Sequence, residues 1–130
     1  MSEIAGQVHG KFKVFNGTLA PDGTLGALGS QVENWVASAK VAPKSIGVEF
    51  IESAGSLLLS VGYRDDEPGY PIKLSAVRIG TIESTDAAGL AAIEKSMVGA
   101  SAKVSNIICH ELYVTAKNEL LMVFMSHQAG

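Results

Sequence analysis

The pentapeptide Ala37-Ser38-Ala39-Lys40-Val41 recurs letter for letter as Ala100-Ser101-Ala102-Lys103-Val104, 63 positions later. Gly17-Thr18-Leu19 and Gly80-Thr81-Ile82 are separated by the same 63 positions. With one residue deleted the correspondence continues at 62: Ile46, Glu49, Leu58, Leu59 and Val61 fall on Ile108, Glu111, Leu120, Leu121 and Val123. A short alanine- and serine-rich match arises easily in helices. Nearly constant spacing across most of both halves predicts a tandem duplication. At 130 residues and 47% hydrophobic, the chain can fill one ordinary core but not two independent ones. The expectation is therefore a single domain over 1–130, with internal repeats at about 8–64 and 70–127.

Each repeat reads as β-α-β-β. A strand over about Val8 to Leu19, or Pro71 to Ile82, is followed by turn residues, Pro21-Asp22-Gly23 or Ser84-Thr85-Asp86. Thr24 in one copy, and Thr85 or Asp86 in the other, can accept hydrogen bonds from the unpaired N–H groups of a helix start. Leu25, Leu28, Val32, Trp35, Val36 and Ala39 then recur at three- and four-residue spacing, as do Leu90, Ile93, Met97 and Ala100. Two hairpins close the units, Ser45 to Glu52 with Leu57 to Tyr63 and Asn106 to Val114 with Glu119 to Ser126. They turn near Ala54-Gly55 and Ala116-Lys117. The connection from Arg64 to Pro71 is polar, holds two prolines and is too short to link free domains.

The resulting pattern, β-α-β-β-β-α-β-β over the whole chain, resembles the duplicated architecture of the gyrase-inhibitor-like and SOUL-type small-molecule-binding domains. That resemblance implies an α+β fold, with six mostly antiparallel strands curved into one sheet or barrel, two helices and a ligand groove. It also implies a buried glutamate facing cationic ligands. A ferredoxin-like arrangement with added edge strands is the rival topology.

Composition removes several partners. The net charge of -3 and 18% charged residues leave no basic stripe for a run of phosphates, so no nucleic-acid partner is expected. Neither a cationic-then-apolar leader nor an apolar run approaching roughly 20 residues is found, and a soluble, cytoplasmic protein without a membrane partner is the expectation. Cys109 is the single cysteine, which fits a reducing compartment and provides no cysteine-cluster metal site. Three histidines without ligand spacing predict no metal, and the sequence names no cofactor.

Candidate site residues follow from strand faces, because side chains two apart share a face. With a turn at Ala116-Lys117, Ile108, His110 and Leu112 fall with Leu121, Val123 and Met125 on a helix-covered core face. Ile46, Val48, Phe50, Leu59, Val61 and Tyr63 are their first-copy counterparts. The opposite face gathers Cys109, Glu111, Tyr113, Leu120, Met122 and Phe124 in one copy, and Gly47, Glu49, Ile51, Leu58, Ser60 and Gly62 in the other. A single bulge exchanges the faces beyond it.

Glu49 and Glu111 put an acid at the same point of each repeat, in largely apolar strands. They are either solvated acids paired with Lys11, Lys13, Lys73 or Arg78, or carboxylates facing a groove that bind a cation or exchange protons. His110 stands where the first copy has Val48. A core histidine bonded to a carbonyl is the plain reading, and acid–base or ligand chemistry the other. Cys109 next to Glu111 reads as an inert thiol, since a nucleophile needs positive charge nearby. Tyr113, Leu120, Met122 and Phe124 make the last hairpin apolar on both faces, which predicts contact with a ligand or a second subunit. Gly23, Gly26 and Gly29 do not form a phosphate-cradling loop.

The leading expectation is a binding module for a small molecule of cationic or aromatic character, using Glu49, Glu111, His110, Tyr113, Met122 and Phe124. The alternatives are a small proton-transfer enzyme, an isomerase or lyase acting through Glu111, Glu49 or His110, and a structural homo-oligomer. A homo-oligomeric assembly is expected in any case, from the face of Leu120, Met122 and Phe124.

Overall fold

The computed structural model describes residues 10–18, 20, 25–51, 55–115 and 118–128. Thr24, the Pro21-Asp22-Gly23 turn, Ala54 and the Ala116-Lys117 turn lie outside them. The elements in chain order are β1 (Lys11–Gly17), α1 (Ala27–Ala39), β2 (Ala42–Ile51), β3 (Ser56–Arg64), β4 (Ile72–Thr81), α2 (Ala87–Ser101), β5 (Ile107–Val114) and β6 (Glu119–His127). Among the described residues the fold is α+β, with two helices and six strands.

The strands form two antiparallel sheets of three, ordered β1-β3-β2 and β4-β6-β5. In each, the last strand of the half lies in the middle, so the helix carries the chain past it between two parallel outer strands. The expected single six-stranded sheet or closed barrel is not formed. β2 and β5 lie side by side without a backbone ladder, and the chain meets there as two sheets rather than one.

α1 follows from its sequence. Leu28, Val32 and Val36 recur along one stripe and are at most 2% exposed. They belong to one buried cluster with Phe15 of β1, Val48 of β2, Leu59 and Val61 of β3, and Leu74, Leu121, Val123 and Met125 of the second sheet. One core is therefore shared by both sheets, and each fully buried Leu or Val contributes about 1.5–3 kcal/mol relative to exposure. A carboxylate fixes the helix to the second sheet: Glu33 Oε2 accepts the Leu74 N–H of edge strand β4 at 2.7 Å. The helix ends at Lys40, left-handed at φ 57°, whose N–H bonds to the Val36 carbonyl. The 65–71 connection crosses this end closely. A side chain at Gly69 would place its Cβ 2.5 Å from the Lys40 carbonyl oxygen, so only glycine fits there. Tyr70 then donates its hydroxyl to the Pro43 carbonyl at 2.6 Å, pinning the connection to β2.

α2 is placed differently. Its expected cap is present: Asp86 Oδ1 accepts the Gly89 N–H at 2.8 Å and is itself held by Ser84 Oγ at 3.0 Å. From there the helix runs over the opposite face of the second sheet, where Ala100 and Met97 pack on Met122 and Phe124. The two helices therefore do not lie on one side of a common sheet. α1 sits inside, against both sheets, and α2 outside, on one.

The face assignment holds for the first hairpin and reverses for the second. Ile46 pairs with Val61, and Val48 with Leu59, with all four side chains in the core. In the second hairpin Glu111 pairs with Val123, Tyr113 with Leu121, and Cys109 with Met125, so Cys109, Glu111 and Tyr113 join the core face. His110 and Leu112 lie opposite, beside Phe124 and Met122. The cause is the turn. The Thr115 N–H bonds to the Glu119 carbonyl, the Asn118 N–H bonds to the Thr115 carbonyl, and Asn118 is left-handed at φ 61°. A three-residue loop closed by a left-handed residue advances the register by one relative to a two-residue turn, which moves every side chain to the other face.

Leu120, Met122 and Phe124, expected as an outer apolar face, are 6%, 3% and 0% exposed. Their own chain covers them, so they leave no surface for a second subunit. Among the described residues, no helix is long and apolar enough to cross a membrane.

Candidate functional site

The two sheets meet along β2 and β5, and there the strand ends leave an opening of about 490 Å³. Val48, Glu49 and Phe50 of β2 form one wall, with Leu112, Tyr113, Val114 and Thr115 at the end of β5 as the other. Farther along the seam, Ile46 contributes a backbone hydrogen bond to Cys109. The Ile46–Cys109 contact precedes the opening along both strands, so β2 and β5 run the same way at the seam.

Tyr113 is the unusual group in this wall. It is 7% exposed, and its hydroxyl is buried with no hydrogen-bond partner among the described residues. Burial pushes its pKa up to about 12, so the phenol stays protonated near neutrality and remains a donor as well as an acceptor. An orphan hydroxyl of this kind costs about 1–3 kcal/mol. The ring is held by the core, with Leu121 across the strand pair, so the oxygen is fixed in place. Glu49 brings an exposed carboxylate to the same opening, from the outer face of the first sheet, where it lies across from Leu58.

The remaining expected site residues are dispersed. Glu111 is half-buried on the core face of the second sheet, beside Cys109, and does not share a face with Glu49. The supposed carboxylate pair is not brought together. His110 is exposed on the reverse of the same strand. Met122 and Phe124 are buried under α2, on the opposite face from Tyr113. Acid–base chemistry that needs Glu49, Glu111 and His110 at one point therefore has no common location.

Cys109 is half-buried, with its pKa pushed up to about 11, mainly by burial, against a hydrogen bond from Ile46 that pulls it down; the charge of Glu111 pushes it up further. Its sulfur lies 4.0 Å from Met125 Sδ. Such a thiol is not a nucleophile near neutrality. Among the described residues, no three histidine, cysteine or acidic side chains gather as a metal site would require.

The sequence signal for Glu49 and Tyr113 was present separately, as a mid-strand acid and an aromatic on a hairpin. Their meeting depends on β2 lying against β5, a contact between distant segments with no local pattern. No protein-family model, no curated protein and no solved structure matches the chain.

Proposed function

We propose that this protein binds a small organic molecule at the β2–β5 seam, with Tyr113 as the buried hydrogen-bonding group and Glu49 as the charge at the mouth. The observation that carries this reading is that Tyr113, a residue lining the opening, has a buried hydroxyl with no hydrogen-bond partner among the described residues. Buried polar groups are nearly always satisfied, and a ligand atom is one way to satisfy this one. Phe50, Leu112 and Val114 offer apolar contact, and the carboxylate favours a ligand that is cationic or carries a hydrogen-bond donor. The reading retains one expectation from the gyrase-inhibitor-like and SOUL-type resemblance, a ligand groove.

The test is calorimetric or thermal-shift screening of cationic and neutral aromatic compounds against wild type, Tyr113→Phe and Glu49→Gln. Tyr113→Phe is expected to raise the stability of the free protein by about 1 kcal/mol in urea unfolding, because an orphan hydroxyl is removed. It should also weaken a true ligand by roughly tenfold. Glu49→Gln should weaken cations by about fivefold, the worth of one exposed charge pair, and leave neutral compounds unchanged. Equal affinity of all three proteins for every binder overturns the seam site. A loss of stability in Tyr113→Phe would show that the hydroxyl has a structural role instead.

Exposed apolar residues favour a homo-oligomer as a second reading. Phe12 is 60% and Val14 54% exposed, side by side on the outer face of the first sheet, where Ser60 and Gly62 of the central strand and Gly47 of β2 are small. Sedimentation should show self-association that Phe12→Ser with Val14→Ser abolishes. A wild type that sediments as a monomer at high micromolar concentration ends this reading.

A further inference from the structure

We propose a second ligand site, beneath the N-terminal half of α2: a slot that takes an uncharged hydrocarbon group of roughly four to six carbons. The slot has a volume of about 110 Å³ and shares no lining residue with the seam opening. Its walls are Ile79 and Ile82 from the end of β4 and the loop after it, Leu120 from β6, and Ala92 and Ile93 from α2.

The slot exists because the two ends of α2 rest on different supports. At its C-terminal end Met97 and Ala100 lie on Met122 and Phe124, and Ala100 is the only residue of the helix that is buried. At its start the helix is tied to the preceding loop rather than to the sheet, through Ser84, Asp86 and the Gly89 N–H. The approach at Gly89 is so close that an added Cβ would lie 2.2 Å from the Ser84 carbonyl oxygen. Below it, β4 is interrupted by a register shift between Arg78 and Gly80, and Gly80 has φ 143°. The first two turns of the helix are thus held off the sheet by a fixed loop and cannot settle onto it. Interiors close such gaps wherever they can, because side chains facing a void forfeit dispersion contacts.

The chemistry of the walls selects the occupant. Isoleucine, leucine and alanine form the body of a slot open to solvent on one side, and covering that apolar surface with a hydrocarbon removes it from water. Ser84 and Ser96 border the slot and can hold one hydroxyl, whereas Glu83 also borders it and repels a carboxylate. The occupant is therefore a short alkyl or small aromatic group with a neutral head.

A chain-length series of primary alcohols decides the matter, titrated into the full-length protein and followed by NMR shifts of the Ile79, Ile82 and Ile93 methyl groups. Affinity should rise roughly fourfold per methylene while the slot fills, then stop rising. Pentanoate should bind at least about tenfold more weakly than pentanol. Ala92→Leu, which fills the slot from the helix, should abolish the shifts and raise Tm. Should that variant not fold, Ile79→Ala enlarges the slot and must move the break in the series to a longer alcohol. A series without a break, methyl shifts that persist in Ala92→Leu, or an unmoved break in Ile79→Ala overturns the proposal. Because the seam residues are untouched, neither result depends on Tyr113 or Glu49.

Discussion

The two halves of the chain share an element order and a strand order, yet they treat their helices in opposite ways. α1 buries four of its thirteen residues between two sheets, while α2 buries one of fifteen against one sheet. The difference lies in how apolar residues are distributed around each helix. In α1 they form one stripe, Leu28, Val32 and Val36, with Glu33 beside it positioned to reach β4. In α2 they are spread all round and most are alanine, so no face commits strongly; Leu90 and Val98 remain 48% and 68% exposed. A stripe of large side chains specifies one seat in a core, whereas a uniform, small-residue surface specifies only shallow contact.

Paired truncations test this contrast most severely. Leu28→Ala empties a site that is 2% exposed, against Phe15 and the other core residues, and should cost about 2–5 kcal/mol in denaturant unfolding. Leu90→Ala removes the same atoms from a half-exposed position and should cost less than about 0.5 kcal/mol. If the two losses are equal, α2 is as integral to the fold as α1 and the contrast between the halves is wrong.

The same contrast explains how far the sequence could be read. The core residues of α1, the faces of the first hairpin and the Asp86 cap were all legible, because each depends on a period or a signal within a few residues. The second hairpin was misread through one residue. Asn118 adopts a left-handed conformation, which lengthens the loop and reverses Cys109 to Val114. Nothing near residue 118 announces that choice, since asparagine also suits ordinary turns. The candidate site suffered twice from this. Tyr113 was placed with Met122 and Phe124 when it faces the core with Leu121, and Glu111 was paired with Glu49 when the two occupy unlike faces. The meeting of β2 and β5 was beyond any local pattern, and so was the placement of α2 outside the sheet. The repeat itself misled here, since equal sequence positions suggested equal packing.

The smallest expected effect concerns the helix starts, which differ in kind. α1 begins at Gly26, in a conformation with φ 54° and with no side-chain cap among the described residues, whereas α2 begins at an ionised cap. Asp86 has its pKa lowered, first by the Gly89 N–H and then by the Ser84 hydroxyl, both of which favour the carboxylate. A carboxyl with a depressed folded pKa contributes stability that is complete above its ordinary value near 3.8 and fades as pH falls through the lower folded value. Acidification from pH 5 to pH 3 should therefore loosen the first turn of α2 and leave α1 unchanged. Hydrogen exchange, corrected for its intrinsic pH dependence, should show falling protection at Gly89 and Leu90 over that interval, with constant protection at Val32 and Val36. Asp86→Asn keeps an accepting oxygen but cannot titrate, so it should keep the cap while removing the pH dependence. If acid loosens α1 and α2 together, or if Asp86→Asn loosens as wild type does, the response belongs to the whole domain and not to the cap. The anchor that holds α2 away from the sheet would then have to be sought in the contact between Gly89 and Ser84 alone.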